Sequence, residues 1–465
     1  MATRKSLTRR RSQQLRWIAA AFLVAAAQAC CAAAARADRL RILHENSEGI
    51  QARMDLVQQA RQEINASYYI VGDDDVPLTF LSLLRDAARH GRTVRLIVDG
   101  QGSNNQMPRA LEAHLIREGV QIKEFHPRTR GELKWLKHRM HDKLLIVDGE
   151  HLITGGRNMK NEYFGLDCRN YVDRDIYIRG STAAEARCYY MSRWCGEDVL
   201  PARLAGPPGK DIPKYYHHGD LIDGCDEDAI RRAGQLLDEA PIKAVARGIL
   251  RLDAPRDWSA DAREVPCDSI CFMHDLPGVR KQRAGIGRDM IELLSTARSS
   301  LVLETPYLAL SREMKRLLCQ LSRRGVHVTI LTNSFETNDQ RPAQALYEND
   351  KRRFVRAGIE LWELRGCDHL HAKAAIIDGC VAVIGSYNFD ELSQKKNSEV
   401  AVAVYDAQTA CELQSSFDCH LQRAYQIGRN LRPVGYQSKY PGADRQQIRQ
   451  LRKDRVIAPF IKRFL

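Results

Sequence analysis

The sequence predicts an α/β protein built of two similar domains that pair as a pseudo-two-fold dimer within one chain. Three observations carry this. Helix-like and strand-like segments alternate along most of the 465 residues, and residues 38–200 and 285–430 repeat the same order of segments. One short polar motif also occurs once in each repeat, 230 residues apart. Alternating strands and helices imply a mainly parallel, helix-covered sheet in each half. Two copies in one chain make their shared surface the natural place for a site.

Residues 1–37 come first, with seven basic and no acidic side chains. An apolar run over 17–35 ends at Ala35-Arg36-Ala37, before Asp38, in the layout of a secretory leader with a small-x-small cleavage point. Its strongest part, 18–27, is short for a membrane span. A cleaved signal peptide is therefore expected ahead of an uncleaved anchor, and export, to a periplasm or a membrane surface, follows. Cys30 and Cys31 lack a good apolar residue three positions upstream, which argues against a lipoprotein.

In the first domain, Met54, Leu56, Val57, Ala60 and Ile64 mark an amphipathic helix leading into a strand over 66–71. A second helix over about 78–90 stops at Gly91, and a strand over 94–98 ends at Asp99. In the second domain the corresponding helix uses Ile286, Met290, Ile291, Leu294 and Ala297, followed by a strand over 301–303. A helix from about 312 stops at Gly325, and a strand over 326–331 runs on to Asn333. The spacing from Gly91 to Gly325 and from Asp99 to Asn333 is the same, 234 residues. Gly119 and Gly358 then mark matching turns.

Between the domains, residues 201–284 carry Pro207-Pro208-Gly209, Pro213, Pro241 and Pro255, and read as a linker with one helix over 228–237. His217-His218 within it is expected to be solvated surface. Cys267, Cys271 and His274 lie close together, yet no second Cys/His pair follows at zinc-site spacing. Of the 13 cysteines, 11 follow Ala37, and an odd number leaves at least one thiol unpaired. Core thiols or a single disulfide are expected, and no metal.

Residues 431–465 form a basic C-terminal tail. The formal charge of the chain is +13, but residues 1–37 hold +7 and residues 429–465 hold +8, leaving −2 on everything between. A dedicated nucleic-acid binder shows a basic face over the domain itself, so this body argues against one. Hydrophobic residues at 44% and charged residues at 28% exclude a disordered chain and a polytopic membrane protein.

The repeated motif carries the chemistry. The first copy runs His141-Asp142-Lys143 to Asp148, then Gly155-Gly156-Arg157-Asn158; the second runs His371-Ala372-Lys373 to Asp378, then Gly385-Ser386-Tyr387-Asn388. The apolar stretch after each Lys reads as a strand, and Asp148-Gly149 and Asp378-Gly379 as hairpin turns. Residues i and i+2 of a strand share a face, so each His and Lys point together, and the returning strand brings its terminal Asn alongside. If the halves meet there, one pocket holds two His, two Lys and two Asn. That set suits a phosphodiester. The lysines neutralise phosphate charge, Asn158 and Asn388 orient the phosphate, one histidine attacks phosphorus and the other donates to the leaving oxygen. The lysines supply the positive charge, so no metal or other cofactor is required.

At these residues the sequence resembles the phospholipase D superfamily, whose members carry a duplicated H-x-K-x4-D motif. The resemblance covers nearly all of residues 45–430 and implies two phospholipase D-like αβα-sandwich domains. It implies a covalent phosphohistidine on one motif histidine, taken as His141, with His371 as general acid and then base. Asp148 and Asp378 become structural members of the catalytic motifs. Asp173-Arg174-Asp175 resembles the acidic segment of the family's first half, with Asp175 expected to hydrogen-bond a motif histidine; Asn397-Ser398-Glu399 is its counterpart, with Glu399 in that role. A carboxylate behind an imidazole fixes its tautomer and raises its basicity.

The run from Gly155 to Phe164, with Asn388-Phe389-Asp390, is most similar to bacterial cardiolipin synthases. Gly156 stands where many members have Ser, and a leader-like segment replaces the usual pair of N-terminal membrane helices. The resemblance implies phosphatidyl transfer on phospholipids, with hydrolytic phospholipase D activity and nucleic-acid phosphodiesterase activity as alternatives on the same two histidines. A non-enzymatic phosphate-binding module is disfavoured because both His and both Lys are present.

The loop before His141 is nine residues longer than its counterpart before His371 and interleaves Arg128, Arg130, Lys134 and Lys137 with Leu133, Trp135 and Leu136. Such a loop suits an anionic lipid surface or nucleic-acid phosphates. The tail, with Ile457, Phe460, Ile461, Phe464 and Leu465 among its cations, suits an anionic membrane surface. No further subunit is required, since the internal pair completes the site.

Overall fold

The computed structural model describes residues 37–103, 107–126, 138–202, 216–217, 220–221, 227–258, 263–275 and 285–461. The expected leader, except Ala37, and the cationic stretch 128–137 lie outside the described residues, as do His218, Phe464 and Leu465.

The first domain runs β1 (Asp38–Leu43), α1 (Asn46–Gln59), β2 (Glu63–Tyr68), α2 (Asp75–Arg89), β3 (Thr93–Asp99), α3 (Arg109–Arg117) and β4 (Gln121–Phe125). It continues through β5 (Leu144–Val147), β6 (His151–Gly155), β7 (Tyr171–Val172), β8 (Asp175–Arg179), α4 (Ser181–Trp194) and β9 (Val199–Pro201). The connecting segment holds β10 (Tyr216–His217), β11 (Asp220–Leu221), α5 (Glu227–Ala246), β12 (Val265–Cys267) and β13 (Ile270–His274). The second domain begins α6 (Ile286–Ser295), β14 (Ser300–Glu304), α7 (Arg312–Arg323), β15 (His327–Asn333), α8 (Arg341–Ala357) and β16 (Glu360–Leu364). It then follows β17 (His369–Leu370), β18 (Ala374–Ile377), β19 (Val381–Gly385), α9 (Glu391–Lys395), β20 (Val400–Val404), α10 (Ala407–Leu421), β21 (Ala424–Gln426) and α11 (Arg445–Ile461).

The two domains repeat one α/β plan. The first sheet has the order β12-β1-β8-β6-β5-β2-β3-β4-β9 and the second β13-β20-β19-β18-β14-β15-β16-β21. Only β2-β3-β4 and β14-β15-β16 are parallel; every other neighbour in these two sheets is antiparallel. The expectation of mainly parallel sheets is corrected to mixed ones. The cause is the hairpins that carry the motifs: a tight turn can join only antiparallel strands. Asp148-Gly149 (φ 53° and 67°) and Asp378-Gly379 (φ 52° and 65°) take the paired positive φ that such turns use. Gly91 and Gly325 end their helices at φ 80° and 93°. Ile64, expected at the end of a helix, belongs instead to β2.

Three apolar layers hold the molecule. One outer layer packs α1, α2, α3 and α5 on the first sheet, including Met54, Phe80, Leu111 and Leu237. The other packs α6, α7 and α8 on the second sheet, including Met290, Leu318 and Phe354. Between the sheets, Leu144, Ile146, Leu152, Ile176 and Ile178 meet Ile376, Ile384, Val400 and Val402, with residues of α4 and α10 completing the layer. Each fully buried Leu, Ile or Val contributes about 1.5–3 kcal/mol relative to exposure, so this inner layer fixes the two domains to one another.

The connecting segment is more structured than one helix in a linker. Its helix extends from Glu227 to Ala246, while β12 adds an edge to the first sheet and β13 an edge to the second. Cys267 and Cys271 sit on these two strands. All ten cysteines among the described residues are free thiols. No described helix is long and apolar enough to cross a membrane.

Candidate active site

Each motif histidine stands at the head of a strand and is tied to the opposite domain through its backbone. The His141 N–H donates to the Ser398 carbonyl at 2.8 Å, and the His371 N–H donates to the Val172 carbonyl at 2.8 Å. β7 and β17 pair in parallel across the domain boundary, and Met140 bridges Ser398 on the other side of the pseudo-axis. Both imidazoles are thus placed by contacts remote in sequence.

Their side chains are held across the same boundary. His141 Nδ1 lies 2.9 Å from Glu399 Oε2 and 3.1 Å from the Ser386 carbonyl, both from the second domain. His371 Nδ1 lies 2.6 Å from Asp173 Oδ2, from the first domain. Asp173 is a correction to the sequence reading, which gave this role to Asp175. The Asp175 carboxylate instead accepts from Arg53 at 2.9 Å and from the Arg157 guanidinium at 3.0 Å, all fully buried. Sheet register explains the substitution. Gly155 pairs with Asp175 and Gly385 pairs with Ala401, so the position equivalent to Glu399 is two residues before Asp175. Both acids share one face of the chain, but Asp175 lies one strand step deeper, over the arginines.

The histidines, Asn158 and Asn388 line one cavity of about 540 Å³ between the domains. Tyr69, Tyr163, Tyr171 and Tyr307 line it as well. Tyr69 meets the His141 ring edge-on at 5.3 Å, while Tyr163 and Tyr171, stacked on each other at 4.5 Å, both lie against His371 at 5.1 and 4.9 Å. Asn158 donates to the Tyr163 hydroxyl at 2.8 Å, and its Oδ1 accepts from the Ile70 N–H at 3.3 Å. Asn388 Oδ1 is buried with no protein partner among the described residues, and Asn388 is part of the cavity wall. Asp339, which accepts from Tyr307 at 2.8 Å and Tyr171 at 3.0 Å, and the buried Asp390 complete an acidic wall on the second-domain side. These tyrosines and Asp339 escaped the sequence reading. They lie outside the repeated motif and converge only through tertiary packing.

The lysines do not lie on the cavity wall as expected. Lys143 and Lys373 are buried beneath it, each donating to the carbonyl of its own histidine, Lys143 at 2.7 Å. Residues 141–143 and 371–373 precede β5 and β18 rather than lying in them, which allows this fold-back. Burial pushes Lys143 down to about 7 and Lys373 down to about 8. Burial also lowers His141, and burial with the Lys373 ammonium holds His371 down to about 4. Burial alone would raise Asp173, but the Lys373 ammonium and His371 hold it well below the usual carboxylate range. Asp390 is pushed up to about 7 by burial. A bound phosphate anion would raise the proton affinity of these groups, so phosphate binding and their protonation are coupled.

Asp148 and Asp378 stand at the far ends of the motif strands, five residues or roughly 16 Å from their lysines. Asp148 accepts from the backbone N–H groups of Arg61, Gln62 and Glu63, and Asp378 from those of Arg298, Ser299 and Ser300. Their place in the motif is therefore structural. Among the described residues no group of three or more His, Cys, Asp or Glu is arranged to hold a metal ion.

The comparisons with known proteins agree with this duplication. Cardiolipin synthase C of Escherichia coli is 25% identical over 427 residues, covering 82% of this chain and 85% of its own length. Cardiolipin synthase 1 of Bacillus anthracis is 23% identical over 401 residues, covering 85% of this chain and 69% of its own. The crystal structure of phosphatidylserine synthase from Haemophilus influenzae superposes with a TM-score of 0.66 at 15% identity, over 92% of this chain and 95% of that one. The family described as "Cardiolipin synthase, PLD-like domain" matches residues 54–185 and again 290–421, together more than half of the chain, and the chain belongs to that family.

Proposed function

We propose that the protein transfers a phosphatidyl group from one phospholipid to the alcohol of another, as a cardiolipin synthase does. The observation that carries this reading is the crossed pair of imidazoles. Each is backed by a carboxylate from the opposite domain, and both face one cavity with two asparagines. The names of the relatives, at 25% and 23% identity, support the phospholipid class.

His141 is the better placed nucleophile. Its Nδ1 lies between two acceptors, the Glu399 carboxylate and the Ser386 carbonyl, which keeps the proton on Nδ1 and leaves a lone pair on Nε2. His371 Nδ1 meets one acceptor, Asp173, and one donor, the Lys373 ammonium at 2.7 Å. His141 Nε2 attacks phosphorus, the bond to the leaving glycerol oxygen breaks, and His371, protonated once the bound phosphate raises its proton affinity from about 4, supplies that oxygen with a proton. His371 then takes the proton of the incoming alcohol, whose oxygen displaces His141 and completes the transfer. With glycerol of phosphatidylglycerol as acceptor the product is cardiolipin; with water it is phosphatidic acid. The acidic and amide wall of Asp339, Asp390, Gln340 and Asn397 favours a polyol over water as acceptor, by hydrogen bonds to its hydroxyls.

The test is incubation of purified protein with labelled phosphatidylglycerol, scoring cardiolipin, phosphatidic acid and plasmid nicking, with and without EDTA. Cardiolipin formed equally in EDTA is expected. Phosphatidic acid alone makes the protein a hydrolase, nicking alone makes it a nuclease, and loss in EDTA overturns the metal-free mechanism. Residues 1–37 as an export leader would place this chemistry outside the cytoplasm; a mature N-terminus at Asp38 is the expected outcome of N-terminal sequencing.

A further inference from the structure

The C-terminal helix α11 exposes one side and buries the other. Leu451 and Ala458 pack on Ala345 and Leu346 of α8. At 3.6 residues per turn, Arg445, Arg449, Arg452, Lys453, Val456 and Phe460 fall within an arc of about 100°. All six are exposed, Val456 by 69% and Phe460 by 79%. The one acid of the helix, Asp454, lies off this stripe and is ion-paired with Arg341 at 2.9 Å. A large apolar side chain at such exposure beside four cations is not a feature of an ordinary solvated helix face.

We infer that this stripe is an interfacial helix that seats the protein on an anionic phospholipid surface. Charge complementarity selects the occupant: the cations meet anionic headgroups while Phe460 and Val456 sink to the acyl boundary. The location gives it a purpose, which rests on the phospholipid reading above. α8, on which α11 packs, also supplies Ala343 and Leu346 to the wall of the active-site cavity. The stripe points away from α8, so a membrane held by α11 lies two helices, α11 and α8, from that cavity.

A local probe in the full chain tests docking independently of turnover. In Phe460→Trp, the added tryptophan emission, taken as the difference from wild type, should shift to the blue with phosphatidylcholine vesicles containing phosphatidylglycerol. It should be quenched by brominated acyl chains and stay unshifted with phosphatidylcholine alone. No shift overturns the inference. So does a shift produced by duplex DNA and not by vesicles, or one that grows with protein concentration in their absence, which would mean a second copy covers the stripe. As a second arm, V456S/F460S and R449Q/R452Q/K453Q should each lower turnover on phosphatidylglycerol vesicles about tenfold. Both should keep wild-type turnover on the same lipid dispersed in detergent. Equal turnover of wild type and variants on vesicles overturns the inference. If wild type turns over no phospholipid, the proposed activity fails while the tryptophan signal still decides docking.

Discussion

The two histidine stations share an outline and differ in how the supporting carboxylate is built. Glu399, behind His141, is braced by two hydroxyls: Ser386 on Oε2 at 2.6 Å and Ser393 on Oε1 at 2.6 Å. Asp173, behind His371, is one methylene shorter and lies hard against the backbone of Gly156, where an added Cβ would fall 2.1 Å from Asp173 Oδ1. The unusual Gly156 thus has a steric cause. The comparison teaches that the duplicated scaffold fixes the place of the carboxyl oxygen, while carboxylate length and neighbour change together: Glu with Ser in one station, Asp with Gly in the other.

Removing either imidazole should have the largest effect. His141→Ala and His371→Ala should each lower kcat by on the order of 10⁴-fold or more, since each removes one half of a coupled attack and protonation. Acid-quenched labelling should then tell the two histidines apart. Wild type and His371→Ala should carry the covalent phosphate on His141, mapped by mass spectrometry, and a label on His371 would reverse the assignment. Next in size are the carboxylates. Glu399→Gln and Asp173→Asn should each lower kcat roughly 10²–10³-fold with KM little changed, because the tautomer is no longer held. Asp175→Asn should do something different. It leaves two buried guanidinium groups short of their acceptor, so it should lower stability by about 3–5 kcal/mol in denaturant melts. The folded fraction should retain most of its kcat. If Asp175→Asn behaved as a tautomer mutant and Asp173→Asn did not, Asp175 and not Asp173 would be the acid behind His371.

Much of this pairing was legible in the residues. The repeat, the helix stops at Gly91 and Gly325, and the hairpins at Asp148-Gly149 and Asp378-Gly379 follow from local periodicity and spacing, and the repeat makes a shared pocket of two His and two Asn an expectation conditional on the halves meeting. What stayed hidden depends on contacts between distant segments. Asp173 and Asp175 are two residues apart on one face, and only the pairing of β8 with β6 says which one reaches a histidine. The exchange of carboxylates between domains leaves no mark in either motif. Nor does the fold-back of Lys143 and Lys373 onto the histidine carbonyls, since strand alternation gives the face of a side chain and not where a long one ends.

Smaller effects separate the stations further. Gly156→Ser should cost the His371 station roughly 10²-fold in kcat, because the new Cβ displaces Asp173 and no spare length absorbs the move. Ser386→Gly should cost the His141 station only about tenfold. It removes one hydroxyl from Glu399, whose other oxygen keeps Ser393. Equal losses in the two variants would mean that the carboxylates are held in the same way, contrary to the contacts.

The motif aspartates should give the smallest catalytic effect, and the reason is distance. Asp148→Ala and Asp378→Ala each strip three backbone N–H groups of their acceptor at the end of a helix-to-strand connection, as the loss of a helix cap would. A stability loss of about 1 kcal/mol is expected for each, with kcat within a factor of about three of wild type. Asp378 also carries a pH signature. Burial would raise its carboxyl, but the backbone N–H groups of Ser300, Ser299 and Arg298 hold it at about 2. Its folded value lies below the unfolded one of about 4, so its contribution is complete above about pH 4 and is lost as pH falls toward 2. The difference in stability between wild type and Asp378→Ala should therefore be constant from neutral pH down to about 4 and shrink below it. A difference that instead changes between pH 6 and 8, or a loss of kcat as large as that of Asp173→Asn, would mean that Asp378 acts on the histidines after all.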